Sequence, residues 1–151
     1  MKEIPVSNSF AKVSEEDWEL VSKFSWYLSH GYAIAFDKGT SFSMHKLIMR
    51  FPINEVDHIN NDRLDNQRSN LRLATSSQNK ANSIRRITAT QKYRGVYPSG
   101  KKWRAALVVN YKYTHLGTFL TEEEAAQAYD LKAREVFGEF ATTNFSNEQL
   151  Y

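Results

Sequence analysis

Between Tyr93 and Gly138 the sequence has three strand-like segments followed by one amphipathic helix. The segments read YRGVY, KWRAALVVN and KYTHLGTF, and Pro98-Ser99-Gly100 and a tight turn near Asn110-Tyr111 separate them. Aromatic and β-branched residues between such turns predict a three-stranded antiparallel meander. The stretch after Thr121 begins with a capping box, and its apolar residues recur at helical spacing until Gly138 ends the helix. We therefore expect a small sheet packed on one helix.

Alternation along the middle strand predicts one covered and one open face of this sheet. The covered face is expected to carry Trp103, Ala105, Leu107 and Val109, and the open face Arg104, Ala106, Val108 and Asn110. The flanking strands are expected to add Arg94, Tyr97, Tyr113 and His115 to the open face. Because a β-sheet can enter the major groove, an uncovered face with basic and aromatic groups suits DNA. A solvated polar face is the alternative that composition leaves open.

The charge distribution within this segment also separates two surfaces. The net charge of the whole chain is only +3. From Arg94 to Lys112 every charged residue is basic, and the acidic residues of the segment all follow Tyr113. Such polarity is typical of a surface that binds a polyanion. Lys102 and Lys112 therefore join the predicted DNA contacts.

The N-terminal part is predicted to contain a short helix and a β-hairpin. Ser14 precedes a run of acidic residues, which favours a helix from Ser14 to Leu20 with Ser14 as its cap. Trp26 to Phe36 and Ser41 to Met44 are strand-like and flank Asp37-Lys38-Gly39, so they predict a hairpin. Residues 83–92 lack apolar periodicity and are typical of a linker. We therefore predict an α+β protein with modules at 1–82 and 93–151 and a linker at 83–92.

Composition excludes several classes of protein. The chain has no cysteine, so it cannot form disulfides or a thiolate metal site, and it offers too few ligands for a structural zinc module. No run approaches the roughly 18 apolar residues that span a bilayer, and the N-terminus lacks the apolar stretch of a signal peptide. We expect a soluble, unexported protein of the cytoplasm. Nothing in the sequence implies an oligomer.

Residues 56–82 contain the side chains that suit hydrolytic chemistry. They read VDHINNDRLDNQRSNLRLATSSQNKAN, a pattern of strand, loop, strand and helix. Asp57 and His58 end the first strand, Asn70 begins the second, and Asn79 lies on the helix. If this helix packs across the two strands, the Asn79 amide oxygen and the Asp57 carboxylate converge on one point.

Phosphodiester hydrolysis needs a base for the attacking water and a cation for the charge that develops on the phosphate. Asp57 and Asn79 offer oxygen ligands that magnesium or manganese accepts, and water or DNA phosphate can fill the remaining positions. His58 could act as the base if a polar group holds its ring in the right tautomer. Asp-His pairs and Asn-rich loops are also common turn chemistry, so the pair alone leaves a structural interpretation open.

The same stretch resembles the HNH (His-Asn-His) endonucleases of the ββα-metal class, in particular their homing-endonuclease-like branch of bacteriophages and introns. The spacing of His58, Asn70 and Asn79 matches that pattern, Asp57 precedes the histidine, and Met44-His45-Lys46-Leu47-Ile48 is similar to its lead-in. The resemblance implies that Asp57 and Asn79 bind one divalent metal, magnesium or manganese and not zinc. It implies that His58 is the general base and that Asn70 fixes the loop or the histidine.

The resemblance also implies DNA contacts by His45, Lys46 and Arg72. The branch usually has an arginine where Lys46 stands, and a phosphate contact suits either residue. His45 is the least specific of the three, since it could contact a phosphate or assist the metal, and a structural hydrogen bond fits it equally well.

Residues 93–145 resemble the apetala-two (ethylene-response-factor) DNA-binding domain. The matching positions are Tyr93-Arg94-Gly95-Val96, the Trp103 strand, Leu116-Gly117-Thr118-Phe119, Glu124-Ala125-Ala126, Ala128-Tyr129-Asp130 and Asn144-Phe145. In that family a three-stranded sheet backed by a helix reads the major groove, and a phage branch fuses it to HNH nucleases. By this resemblance Arg94 and Thr118 contact DNA, and Trp103 makes a packing or backbone contact.

Four positions depart from the plant members, which have arginines, a glutamate and a tryptophan on the DNA side. This chain has Tyr97, Ala106, Val108 and His115 there. The plant recognition sequence should therefore not transfer. Ala106 and Val108 could contact thymine methyl groups, or this part of the face does not read bases.

The sequence thus predicts an endonuclease with one divalent metal, which a sheet-type module positions on double-stranded DNA. The alternative from another class is a non-catalytic DNA-binding regulator that retains a degenerate nuclease fold. The intact set of Asp57, His58, Asn70 and Asn79 argues against that alternative.

Overall fold

The computed structural model describes residues 1–83 and 91–146. Helices and strands are mixed along the described chain, so the predicted α+β class is confirmed. The chain divides into two compact units, Met1–Thr75 and Ser76–Tyr151. Most of the predicted linker, residues 84–90, lies outside the described residues, and the module boundaries stay a prediction. In the described parts of the chain, no helix is long and apolar enough to cross a membrane.

The first unit consists of short strands with two short helices between them. Its elements are β1 (Lys2–Val6), β2 (Ser9–Val13), α1 (Trp18–Val21), β3 (Tyr27–Ser29), β4 (Tyr32–Asp37), β5 (Thr40–Ser43), α2 (Met44–Ile48), β6 (Glu55–His58), β7 (Asp65–Asn66) and β8 (Leu71–Ala74). The strands form the sheets β1–β2–β7 and β3–β4–β5 and the pair β6–β8. Residues of both helices and of all three sheets share one core, in which Met44 and Ile48 are the largest fully buried side chains.

The hairpin of β1 and β2 is a strand pair that the sequence analysis did not predict. Lys2 lies opposite Val13 in antiparallel register. Apolar side chains alternate with exposed or half-buried ones along both strands, the pattern of a sheet with one buried face. β2 also pairs in parallel with β7, where Val13 lies opposite Asn66. The hairpin therefore fixes the position of a two-residue strand inside the loop that follows His58.

The predicted hairpin between residues 26 and 44 is present but contains a further turn. β4 and β5 pair as expected, with Asp37 opposite Thr40. The segment that starts at Trp26 is interrupted at His30 and Gly31, whose φ angles are 51° and 83°. β3 is therefore a separate strand that pairs with β4, and the sheet has three strands instead of two.

The predicted helix after Ser14 begins as a 3-10 turn, Glu15–Asp17, which continues into α1. The expectation that the Ser14 side chain caps it is wrong, because Ser14 Oγ accepts a hydrogen bond from the backbone N–H of Arg68 at 2.9 Å. The Arg68 guanidinium in turn donates to both carboxylate oxygens of the buried Asp17, at 2.9 and 2.7 Å. Long-range pairing thus replaces the local cap.

The second unit contains a helix, a three-stranded sheet and a longer helix. Its elements are α3 (Ser76–Asn82), β9 (Val96–Ser99), β10 (Lys102–Val109), β11 (Lys112–Phe119) and α4 (Glu122–Phe137). The sheet is antiparallel in the order β9–β10–β11, and α4 contacts all three strands. The capping box at Thr121 and Glu124 is present, and Gly138, with a φ of 53°, ends α4.

The two faces of β10 differ as alternation predicts, with one exception. Ala105 is buried in a core with Val96, Ala125 and Ala126, whereas Arg104 and Val108 are exposed. Ala106 was expected on the open face but is only 4% exposed. It lines a cavity of about 320 Å³ together with residues of α3, next to a β-bulge between Ala105 and Ala106. Of the two alternatives left open for Ala106, its burial favours the one in which this position does not read bases.

Candidate active site and nucleic-acid interface

Of the predicted nuclease residues in the first unit, Asp57 and His58 lie on β6, and Asn70 ends the short 3-10 turn directly before β8. The antiparallel register places Asp57 opposite Arg72 and His58 opposite Leu71. Asp57 is 4% exposed and His58 is 5% exposed. A polar group that is buried without a hydrogen-bond partner costs free energy, so each of these side chains needs a partner inside the fold.

The partner of His58 is Asn66 of β7, whose Oδ1 accepts a hydrogen bond from His58 Nε2 at 3.2 Å. With its proton on Nε2, the neutral ring keeps a lone pair on Nδ1. Burial lowers the pKa of His58 below its usual value, and the Asn66 hydrogen bond and the nearby Asp57 partly oppose this shift. The sequence predicts a polar group beside His58 but does not identify it as Asn66. The only signal for it was the Asn-rich loop.

Two further rings restrict the orientation of the His58 imidazole. The ring centroids of His45 and His58 are 5.1 Å apart, and the Tyr32 ring lies 5.2 Å from His45 and 6.1 Å from His58. The Arg63 guanidinium lies over the Tyr32 ring at 4.6 Å. Tyr32 is a site residue that the sequence analysis missed, since it lies in a different sheet.

His45 is buried beside His58, and its Nε2 is 3.1 Å from the Ser43 hydroxyl. Burial, together with the neighbouring His58 and Lys46, lowers the pKa of His45 to about 3. The ring is therefore neutral at physiological pH and brings no positive charge to a phosphate. This geometry favours the structural role for His45 over the predicted DNA contact. Lys46, the next residue of α2, is exposed and can make the predicted phosphate contact.

The Asn70 side chain braces the loop between β6 and β8. Its Oδ1 accepts a hydrogen bond from the backbone N–H of Asn60 at 3.0 Å. Its Nδ2 donates to Asn60 Oδ1 at 2.9 Å and to the backbone carbonyl of Asp65 at 2.7 Å. Of the two roles left open for Asn70, these contacts favour fixing the loop. Asn70 thereby acts on His58 through the segment that carries Asn66.

Arg72, a predicted DNA contact, pairs with the candidate metal ligand. Its Nε donates to Asp57 Oδ2 at 2.9 Å, and the two side chains are 12% and 5% exposed. The guanidinium compensates the negative charge of a carboxylate that is almost removed from water. The structure thus assigns Arg72 a partner within the site.

The donor atoms at this position suit a hard cation. Among residues 1–83 and 91–146, no group of three or more His, Cys, Asp or Glu side chains could hold a metal ion. An ion beside Asp57 would take its other ligands from amide, water or phosphate oxygens. Magnesium accepts such a set, because it usually keeps several waters and uses one or two carboxylates. Asn79, the second predicted ligand, lies half-buried on α3 in the second unit, and its metal role stays a prediction.

The open sheet face of the second unit groups Arg104 with two tyrosines. Arg104 lies opposite Tyr97 on β9 and opposite Thr118 on β11, and Val108 lies opposite Tyr113. The Arg104 guanidinium is 5.7 Å from the Tyr97 ring centroid and 5.8 Å from that of Tyr113. Cation–π contacts on both sides hold the guanidinium over the sheet.

The remaining predicted contacts of this module are distributed around the Arg104 group. The exposed ones are Lys102, Lys112, His115 and Thr118. Trp103 is half-buried and packs against the core between the sheet and α4, which favours its packing role.

Arg94 does not join this face. Its Nε donates to the Tyr129 hydroxyl at 2.9 Å, and its two terminal nitrogens donate to the backbone carbonyls of Ser83 at 2.6 Å and Lys80 at 2.8 Å. A guanidinium with three protein acceptors is engaged inside the second unit. The expectation that Arg94 lies on the open face is therefore wrong, since its side chain turns toward α3 and α4.

Comparison with known proteins identifies the first module. A model of the HNH endonuclease family matches residues 50–81. An uncharacterized HNH endonuclease of Acanthamoeba polyphaga mimivirus is 41% identical over 145 residues, and the match covers 90% of this chain and 75% of the viral protein. The chain belongs to the HNH endonuclease family. The segment matched by the family model contains Asp57, His58, Asn70 and Asn79.

Plant transcription factors match part of the same chain. The AP2/ERF and B3 domain-containing transcription repressor TEM1 of Arabidopsis thaliana is 37% identical over 73 residues, 48% of this chain and 20% of the plant protein. The ethylene-responsive transcription factor WRI1 of Arabidopsis thaliana is 48% identical over 58 residues, 36% of this chain and 14% of the plant protein. This HNH family member is thus also similar, over part of its length, to AP2-type DNA-binding domains, and the predicted combination of the two families is confirmed.

Proposed function

We propose that this HNH family member is a metal-dependent endonuclease that hydrolyses phosphodiester bonds in double-stranded DNA. The observation that carries the proposal is the buried acid and histidine at the end of β6, where Asn66 fixes His58 and Arg72 pairs with Asp57. A base with a fixed ring and an adjacent oxygen ligand are the two groups that metal-assisted phosphodiester hydrolysis requires.

His58 is the proposed general base. The hydrogen bond between its Nε2 and Asn66 Oδ1 sets the orientation of the imidazole that takes the proton from the attacking water. The rings of Tyr32 and His45 hold the plane of the imidazole. Asn70 contributes as a positioning residue, because it braces the loop that carries Asn66.

Asp57 and Asn79 are the proposed ligands of one divalent ion, magnesium or manganese. When bound, the ion stabilises the negative charge that develops on the scissile phosphate and the leaving oxygen. Asp57 is assigned from its burial and its position beside His58, and Asn79 from the family pattern. Arg72 holds the Asp57 carboxylate in one orientation through the hydrogen bond to Oδ2.

The open sheet face is the proposed DNA-positioning surface. Its central group is Arg104 between Tyr97 and Tyr113, and Thr118 and His115 lie on the neighbouring strand. The exposed residues Lys46, Lys102 and Lys112 add positive charge. Contacts to phosphates provide affinity that falls with salt, and they position the enzyme without specifying its sequence.

Cleavage of supercoiled plasmid by purified protein tests this function. Wild type and His58→Ala are compared in magnesium, in manganese and in excess chelator, with His30→Asn as the matched control. His30 is an exposed histidine at the β3–β4 turn, and asparagine tolerates its φ of 51°. We expect His58→Ala to lower the cleavage rate at least about 100-fold while DNA affinity changes less than about twofold, since the base acts on water.

Three outcomes would contradict the proposal. Cleavage that survives the chelator would exclude the metal role, and wild-type cleavage by His58→Ala would exclude the base. A wild-type protein that binds the plasmid but cuts it with neither metal would instead support the non-catalytic regulator.

A further inference from the structure

Helix α3 is held at its C-terminal end by Arg94 and Thr142, two residues that follow it in the same unit. The backbone N–H of Thr142 donates to the Ala81 carbonyl at 3.3 Å, and its Oγ1 donates to the Asn82 carbonyl at 2.9 Å. Arg94 donates to the Lys80 and Ser83 carbonyls at 2.8 and 2.6 Å. The four successive backbone carbonyls of residues 80–83 therefore accept hydrogen bonds from Arg94 and Thr142, which lie later in the chain.

The other end and the exposed side of α3 have contacts of the same kind. Ser77 Oγ accepts a hydrogen bond from the backbone N–H of Asn110 at 3.1 Å, in the turn between β10 and β11. The Lys80 ammonium lies over the Tyr111 ring at 4.1 Å. The helix is thus attached to the β10–β11 turn, to Arg94 and to the segment after α4.

A helix of this length depends on such contacts. α3 has only seven residues, and isolated helices shorter than about 12 residues are marginal in water. The last four carbonyls of a helix have no partner within the helix, and a cation near them is favourable. Arg94 supplies both a cation and a planar set of donors, and its third contact, to the Tyr129 hydroxyl, ties it to α4.

We propose that Arg94 is a positioning residue that holds α3, and with it Asn79, for metal binding. This inference rests on the proposed function, in which Asn79 is a metal ligand. The consequence is that Arg94, which the sequence places among the DNA contacts, instead maintains the helix that carries Asn79. Arg94 acts through its three acceptors and not through a phosphate.

The full-length variants Arg94→Lys and Arg94→Ala separate these two roles. Lysine keeps the charge that a phosphate needs, but it cannot reproduce three divergent hydrogen bonds from one planar group. Arg104→Lys and Arg104→Ala on the open sheet face are the matched controls, and Thr142→Val is a milder second variant that removes one hydroxyl. The readouts are amide hydrogen exchange in α3, Mn²⁺ binding followed by electron paramagnetic resonance, and DNA affinity in chelator.

We expect Arg94→Lys to behave like Arg94→Ala. Exchange in α3 should be roughly tenfold faster with exchange in β10 unchanged, and Mn²⁺ affinity should fall several-fold with DNA affinity in chelator unchanged. Thr142→Val should shift exchange and Mn²⁺ affinity in the same direction by less, whereas the Arg104 variants should change only DNA affinity.

Other results would overturn the inference. Slower or unchanged exchange in α3 would show that Arg94 does not hold the helix. Faster exchange with unchanged Mn²⁺ affinity would leave it a structural residue only. Weaker DNA binding by Arg94→Ala that Arg94→Lys restores would identify a phosphate contact. A wild type that neither binds Mn²⁺ nor cleaves DNA would refute the proposed function and the positioning role together, and the exchange data would still decide whether Arg94 anchors α3.

Discussion

The buried His45 makes the stability of the first unit depend on pH. Its ring is almost completely removed from water beside His58, and burial lowers its pKa to about 3. In the unfolded chain the same side chain titrates near its ordinary value of about 6.5. As the pH falls below this value the unfolded state takes up a proton that the folded state does not, so stability is full above about pH 6.5 and falls progressively toward pH 3.

The size of the effect follows from these two values. At pH 7.5 the unfolded His45 side chain is almost fully neutral, and at pH 5.5, one pH unit below its ordinary pKa of about 6.5, it is almost fully protonated. The folded residue takes up almost no proton over the same interval. The expected loss of unfolding free energy is about 1.4 kcal/mol. His45→Gln removes this contribution, so the variant should lose about 1.4 kcal/mol less than wild type over the same interval. The substitution also removes packing, but that loss applies at both pH values.

Urea unfolding followed by tryptophan fluorescence measures the difference. Trp18 and Trp26 lie in the first unit and Trp103 in the second, so a Trp103→Phe background makes the signal report the first unit alone. His30→Asn is the control, because His30 is an exposed histidine of the same unit. An equal pH dependence for wild type and His45→Gln would refute the argument that His45 is held neutral by burial. An equal effect of His30→Asn would show that histidine burial is not the cause.

Two further predictions concern the second unit. Arg104→Ala should weaken DNA binding and make the fall of log affinity with log salt less steep by about 0.9, the amount for one phosphate contact. The cleavage rate at saturating protein should stay the same. An unchanged slope in a salt titration would show that Arg104 does not contact phosphate. Gly95→Ala should destabilise the unit by about 3 kcal/mol or more, because a Cβ there would lie 2.0 Å from the Tyr129 ring and 2.8 Å from the Ala106 carbonyl. Gly100→Ala is its matched control in thermal unfolding, since Gly100 also has a positive φ but no atom within 4 Å of the added carbon. Equal effects of the two substitutions would mean that backbone conformation, and not the Tyr129 ring, makes Gly95 necessary.

Arg94 and Arg104 illustrate why contacts are harder to predict than elements. Both are basic residues beside strands of one small sheet, and their residue types indicate the same role. Arg104 lies within β10, so alternation alone predicts its face. Arg94 precedes β9, where no strand period applies, and its acceptors are 11, 14 and 35 residues away. Only the packing of α3 and α4 decides where its guanidinium points.

Local patterns in the sequence correctly predict the features that depend on one segment alone. These are the strand–strand–strand–helix order after residue 93, the capping box and the stop of α4, the hairpin of β4 and β5, and the pair of Asp57 and His58 at the end of a strand. Each rests on a period, a turn residue or a cap, which are local consequences of backbone geometry. The family of the first module belongs to this group too, because its spaced Asp, His and Asn positions lie within one stretch of about thirty residues.

The side chains that complete the site are brought together by contacts between distant segments. Asn66 reaches His58 because β2 pairs with β7 over two residues, and Tyr32 and His45 reach it from another sheet and from α2. Ala106 is buried on the face that alternation leaves open, and α3 is anchored by residues that follow it. Pairings of this kind join segments that are separate in sequence and depend on register and on which surfaces are covered. A single segment contains no information about its partner across the fold, so these contacts follow from the assembled core and not from local pattern.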